Sequence, residues 1–281
     1  AQRMTSPLES PEAWDRVGDG YSDEFAPTLA AYAQAAVTLA DLAPGARVLD
    51  VAAGPGTLTL LAAPVAGHVA ALDFSAIMIA RLRSEAVVRG LHNIEAVVGD
   101  GQALPFPDAS FDAAFSMFGL IFFPDRARGL RELRRVLRPG GRAVVGAWAT
   151  LDPAAPFVLF EVLQAELPDV RLMLPELPLG TPDRMREELA AAGFEALRVA
   201  FVVHEFRAPS VEALWASHAR ANVLVAPIRQ GMPRHAWERL SARVIGGLRE
   251  RLGDGEVRYP QTALLGLGER GADARADSCH P

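Results

Sequence analysis

The stretch Val48-Leu49-Asp50-Val51-Ala52-Ala53-Gly54-Pro55-Gly56-Thr57 is an apolar run that ends in an acid and breaks at once into a glycine turn. Glycines in a strand-to-helix turn let backbone amides approach a ligand closely. An acid at the strand tip suits a ligand with a charged amine better than one with a pyrophosphate. A second acid, Asp73, ends the next apolar run, at about the ~20-residue spacing of a carboxylate that accepts hydrogen bonds from ribose hydroxyls. Dinucleotide enzymes share a glycine turn, but their fingerprint needs Gly or Ala three residues after the second glycine. Here that position is Thr59. Asp100 ends a third apolar run and Asp112 opens a fourth; Asp112 reads as the acceptor of a structural turn hydrogen bond.

These residues require elements to hold them. Apolar runs bounded by turn residues predict strands over Arg47 to Val51, His68 to Asp73, Ile94 to Asp100, Phe111 to Met117, Arg142 to Trp148, Leu197 to Phe206 and Arg258 to Leu267. Helical patterns lie between them at 58–65, 77–89, 125–137 and 183–192, the second closing at Gly90 as a C-cap and the third stopped by Pro139-Gly140-Gly141. Strand and helix in alternation predict a parallel sheet, with ligands at the carboxyl ends of its strands. Two N-terminal helical patterns, 11–25 and 27–42, put Trp14, Val17, Tyr21 and Phe25 on one face; for Trp14 and Val17 that face predicts packing on the core. A proline-rich insert, 153–179, follows the fifth strand, and a longer helical one, 210–252, precedes the last.

Composition bounds the function. At 281 residues, half of them apolar and 22% charged, the chain has ample material for a core. A net charge of −6 argues against a nucleic-acid surface, which needs clustered cations. All 28 basic residues are arginines, and the run Arg126 to Arg138 reads as a solvated helix face. The one cysteine, Cys279, excludes an intramolecular disulfide and a cysteine metal cluster. With no run of ~18 apolar residues and no signal-like N-terminus, the expectation is a cytoplasmic protein without a membrane span.

The blocks VLDVAAGPGT, ALDFSAIM, VVGDGQALPFPDASFD and LRPGGRAVVGAW, in this order and spacing, give the chain its resemblance to the class I S-adenosylmethionine-dependent methyltransferases, nearest the ubiquinone and menaquinone C-methyltransferase (methyltransferase type 11) branch. The resemblance covers roughly residues 46 to 150. It implies an α/β fold: a Rossmann-like, doubly wound, seven-stranded, mostly parallel sheet with an antiparallel last strand and a helical lid insert. The expected organisation is N-terminal helices over the cofactor site (1–45), a cofactor-binding core (46–150), a second half with a small insert (151–208), a helical lid (209–254), a final strand (255–270) and a disordered tail (271–281).

The resemblance also assigns roles. Asp50, Ala52, Gly54 and Gly56 would hold the methionine end of S-adenosylmethionine, Asp73 its ribose, and Phe74 and Met78 the two faces of its adenine. Asp100 would accept from the adenine amino group, Gly101 and Gln102 would donate to a ring nitrogen, the Ser116 carbonyl would approach the amine, and the Tyr21 hydroxyl would reach the carboxylate. Ala52 departs from the glycine common in the family, which requires a negative φ there. Phe118-Gly119-Leu120-Ile121-Phe122-Phe123 stands where relatives often carry histidines, so an imidazole base is not expected from this loop.

Candidate bases remain elsewhere. His218 shares a helical face with Trp215, Asn222 and Val225, and His204 ends the sixth strand. No metal is expected. The inserts carry Phe157, Phe160, Met173, Leu174, Trp215, Met232 and Trp237, enough to build a lid core and line a pocket for a small apolar or aromatic acceptor. The reading is methyl transfer to the O, C or N of a small metabolite by a monomer or homodimer; a cofactor-binding scaffold or rearrangement catalyst is the alternative.

Overall fold

The computed structural model describes residue 8 and residues 10–150, 155–170 and 177–272. Met173, Leu174, Cys279 and the tail from residue 273 lie outside the described residues. Seven strands form one sheet: β1 (Arg47–Val51), β2 (His68–Asp73), β3 (Ile94–Val98), β4 (Phe111–Met117), β5 (Leu137–Trp148), β6 (Phe194–Ala208) and β7 (Val257–Arg270), in the order β3-β2-β1-β4-β5-β7-β6. The pairs from β3 to β5 are parallel, and β7 lies antiparallel between β5 and β6. Strand order reverses between β1 and β4, where an open parallel sheet leaves a crevice at its carboxyl edge.

The central strands read as continuous apolar runs because both their faces are covered. On one face Leu49, Val51, Ala70 and Leu72 pack with Leu130 and Leu133 of α6 (Arg126–Val136) and with Met185 and Leu189 of α8 (Pro182–Ala191). On the other, Val48 and Val69 pack with α3 (Ala30–Ala40) and α4 (Thr57–Ala62), while α5 (Ala76–Val88) buries Ile79 and Leu82 against Ala71. Local signals fix the helix starts: Ser75 accepts from Met78 N at α5, and Asp125 from Arg128 N at α6.

Three expectations need correction. The first N-terminal helix is broken into α1 (Pro11–Asp15), α2 (Gly18–Gly20) and a π-helical turn (Tyr21–Phe25), and a 3₁₀ turn (Ala26–Leu29) replaces the start of the second. Gly18 and Gly20 sit where a Cβ would strike Ile77 Cγ2 and the Arg220 carbonyl oxygen, so this segment is shaped by what it packs against rather than by helical period. β5 starts at Leu137, and Pro139-Gly140-Gly141 forms a bulge opposite Asp112 instead of a stop before the strand. β6 is longer than its apolar run at both ends. As an edge strand it exposes alternate residues, Phe201, Val203, Glu205 and Arg207, which hides its period behind charges.

The two inserts share one core. From the smaller comes α7 (Ala155–Glu166), and from the larger α9 (Val211–Ala221), α10 (Val225–Gly231) and α11 (Arg234–Leu252). Leu159 and Leu163 pack with Leu214, Trp215, Leu240, Val244 and Leu248, and Trp215 stacks on Trp237 at 5.1 Å. Val257 and Tyr259 of β7 join this cluster, so the outer halves of β6 and β7 carry the inserts above the sheet. Among the described residues no helix is long and apolar enough to cross a membrane.

Candidate active site

A cavity of about 550 Å³ opens at the carboxyl ends of β1, β2 and β4, beneath the inserts and the N-terminal segment. The volume lies within the ~300–1,000 Å³ typical of small-molecule sites. Its floor is the turn after β1. Ala52 there has φ 57°, so the negative φ required of an alanine is not what the structure adopts; the residue is held in the left-handed region. Gly54 (φ 56°) also lines the cavity, and Gly56 (φ 93°) caps α4 with no room for a side chain, because a Cβ would lie 2.2 Å from Leu82 Cδ1.

Two acids are buried beside this turn. Asp50 accepts from the Thr59 hydroxyl at 2.7 Å, and burial pushes its pKa up to about 7. Asp73 accepts from Gly54 N at 2.8 Å and Ser75 N at 2.9 Å, and burial raises it to about 6. The same bond from Gly54 ties the floor of the cavity to the tip of β2. Neither acid pairs with a cation among the described residues. A buried carboxylate without a counter-charge favours a ligand that brings one, so this end fits a cation and disfavours a pyrophosphate. Thr59, which breaks the dinucleotide fingerprint, is the donor that keeps Asp50 satisfied.

Phe74, Met78, Asp100, Gly101 and Gln102 line the cavity next to Asp73. Asp100 accepts from the Gln102 backbone at 2.8 Å, and Gln102 Oε1 accepts from Asp125 N, tying this loop to the start of α6. The arginine-rich helix is not simply a solvated face. Arg135 donates to the Leu104 and Phe106 carbonyls and pairs with Glu132, which accepts from Leu104 N, so α6 holds the loop that carries Asp100. Asp112 has the structural role assigned to it, accepting from Arg47 N and pairing with Arg138.

Tyr21 lines the cavity, and burial, with Asp73 nearby, raises its hydroxyl pKa. Ser116 is not among the cavity residues; it is fully buried in the ladder with β5, and Met117 and Phe118 form that edge. Phe118 reaches it through φ 61° and stacks on Trp148 at 4.1 Å. Trp14 is at the cavity wall rather than in the core, edge-on to Tyr21 and Phe122, whereas Val17 is buried as expected.

The far half of the cavity belongs to the inserts and the outer sheet: Phe157, Phe160, Phe206, Tyr259, Gln261 and His218. His218 is 3% exposed and edge-on to Phe25 at 5.2 Å. Its Nδ1 lies 3.0 Å from the Leu214 carbonyl, which only accepts, so Nδ1 carries the proton and Nε2 is the acceptor. Burial lowers its pKa to about 4, keeping the ring neutral near pH 7. His204 is not in the cavity. It sits on β6 with its ring against Tyr32 and Phe206, and Phe206 takes the position at the wall. Tyr259 and Gln261 lie on the strand expected over 258–267, but nothing in their own stretch of sequence marks them as site residues, because the wall they join is built from segments far apart in the chain.

A methyltransferase-domain family model matches residues 49–145. Over 180 residues the chain is 36% identical to a demethylmenaquinone methyltransferase of Corynebacterium efficiens, covering 61% of this chain and 74% of that one. It is 32% identical over 235 residues to the nocamycin O-methyltransferase of Saccharothrix syringae, covering 74% and 82%. The solved structure of a putative methyltransferase from Bacillus halodurans C-125 superposes with a TM-score of 0.59 at 20% identity, over 85% of this chain and 99% of that one.

Proposed function

Because the chain belongs to the class I S-adenosylmethionine-dependent methyltransferases, we propose that it methylates a small, moderately apolar or aromatic metabolite inside the insert-covered cavity. The observation that carries the reading is the division of that cavity: one end is lined by the buried, uncompensated Asp73, with buried Asp50 behind its floor, and the other is walled by aromatic rings. The acidic end takes the cationic cofactor, and the aromatic end takes the acceptor.

S-adenosylmethionine supplies an electrophilic methyl group on a sulfonium. Gly54 and the Ala52 backbone face its methionine end, Tyr21 its carboxylate, Asp73 the ribose, Phe74 and Met78 the adenine ring, and Asp100 with the Gly101-Gln102 backbone the ring's polar edge. Asp50 acts from behind the turn, offsetting positive charge without touching the ligand. The inserts exclude water and hold the acceptor in line, and orientation of this kind lowers a barrier by roughly 7–11 kcal/mol. His218, neutral and with Nε2 as acceptor, takes the hydrogen bond of an acceptor hydroxyl. Its low pKa makes it an orienting partner more than a strong base.

The test pairs calorimetry with turnover. Both S-adenosylmethionine and S-adenosylhomocysteine should bind, and a panel of phenols, quinols and enolic polyketides should give methylated product with release of S-adenosylhomocysteine. Asp73→Ala should weaken cofactor binding about tenfold or more; unchanged affinity would refute the ribose assignment. Tight cofactor binding with no transfer across the panel would favour a rearrangement catalyst instead.

A further inference from the structure

Asn222 sits at the C-cap of α9, four residues after His218, and both line the cavity. Its Oδ1 accepts from Leu224 N at 2.9 Å and Val225 N at 3.3 Å, starting the turn into α10. That fixes which end of the amide is which: the oxygen is used, and Nδ2 has no protein partner among the described residues. His218 is fixed in the same way, its Nδ1 proton held by the Leu214 carbonyl and its Nε2 left as an acceptor. One face of α9 therefore presents an acceptor and a donor side by side, about 6 Å apart at Cβ, each oriented by a backbone bond on its far side.

The surrounding wall says what such a pair reads. Among the described residues no arginine lines the cavity, and the two lining carboxylates, Asp73 and Asp100, are at the cofactor end. A carboxylate or phosphate on the acceptor would be buried there without a counter-charge, and Glu24, the acid near His218, is already paired with Arg220 rather than left for a cation. We propose that His218 and Asn222 together recognise an uncharged acceptor in which an enolic or phenolic hydroxyl neighbours a carbonyl, His218 Nε2 accepting from the hydroxyl and Asn222 Nδ2 donating to the carbonyl. In free solution such a hydroxyl closes onto its own carbonyl. The two side chains replace that internal bond with two external ones and free the hydroxyl oxygen. The proposal rests on the methyltransferase reading for the location of the acceptor, but it concerns binding and stands on its own measurement.

The probes are 1-hydroxy-2-acetonaphthone, which has both groups, 1-naphthol, which lacks the carbonyl, and 2-acetonaphthone, which lacks the hydroxyl. Their binding to the full chain is followed by quenching of tryptophan fluorescence, since Trp14 and Trp148 line the cavity, with and without S-adenosylhomocysteine. The hydroxyketone should bind roughly tenfold more tightly than either single-group probe. Asn222→Asp keeps the oxygen that starts α10 and removes the donor, and Asn222→Ser does so without adding charge. In both, the advantage over 1-naphthol should vanish while 1-naphthol itself binds as before. His218→Phe should remove the advantage over 2-acetonaphthone. Equal binding of all three probes, no binding of any, or equal weakening of all three by Asn222→Ser would overturn the proposal. Failure of S-adenosylhomocysteine to bind would instead strike the methyltransferase reading and leave the probe ratios to be judged separately.

Discussion

Raising the pH from 5.5 to 7.5 should strengthen S-adenosylmethionine binding while weakening the ligand-free fold. Asp50 and Asp73 are held at about 7 and about 6, against an ordinary 3.8, chiefly because burial disfavours their charged forms. The folded chain therefore holds protons that the unfolded chain has already released, so its stability falls as pH rises through these values. With values near 7 and 6, the loss between pH 5.5 and 7.5 is about 3 kcal/mol, most of it from Asp50. A cation that binds only the ionised pair gains the same free energy, about a hundredfold in affinity over this window. Calorimetry in buffers of different ionisation enthalpy should show protons released on binding at pH 6. Asp50→Asn, which cannot ionise, should cut the pH effect to the roughly fourfold left to Asp73. Flat affinity across the window, or no proton release, would refute the idea that these two acids wait uncharged for a cation.

Two backbone predictions follow from the turn after β1. Ala52→Gly removes the left-handed strain of about 1–2 kcal/mol at φ 57°. Part of the gain is lost to the freer unfolded chain, leaving a net stabilisation of about 0.5–1 kcal/mol by denaturant titration; a loss of stability would show that the alanine methyl packs better than its geometry implies. Gly56→Ala forces a Cβ to 2.2 Å from Leu82 Cδ1 at φ 93°, which should cost about 2–4 kcal/mol. An unchanged unfolding midpoint would mean that the floor of the cavity is softer than described.

The cofactor half of the molecule was legible because its signals are local. Each of β1, β2 and β4 is a short apolar run with both faces buried; Asp50 and Asp73 stand within the last two residues of β1 and β2, and Asp100 follows β3 by two residues. The acceptor half was not, because its wall is assembled from distant segments. Trp148 ends β5, Phe206 lies near the end of an alternating edge strand, and Tyr259 and Gln261 follow the longer insert, so no single window of sequence contains the site. His204 misled because its position was judged from the end of the apolar run, while β6 continues to Ala208 and turns Phe206 toward the cavity. Ala52 misled for a different reason: a residue type does not disclose its φ, and the chain accepts the strain where the turn must pass under the ligand.

The outer halves of β6 and β7 carry the large insert between them, and residues 206–261 contain the α9 pair, Tyr259 and Gln261, whereas the acids and glycines of the other end all lie before residue 125. Donor and acceptor recognition are thus written in separate stretches of one gene. Exchanging the whole stretch 148–261 between relatives, which carries Trp148, Phe157 and Phe160 as well as the α9 pair, would change the acceptor wall while leaving the acids and glycines of the methyl-donor end untouched.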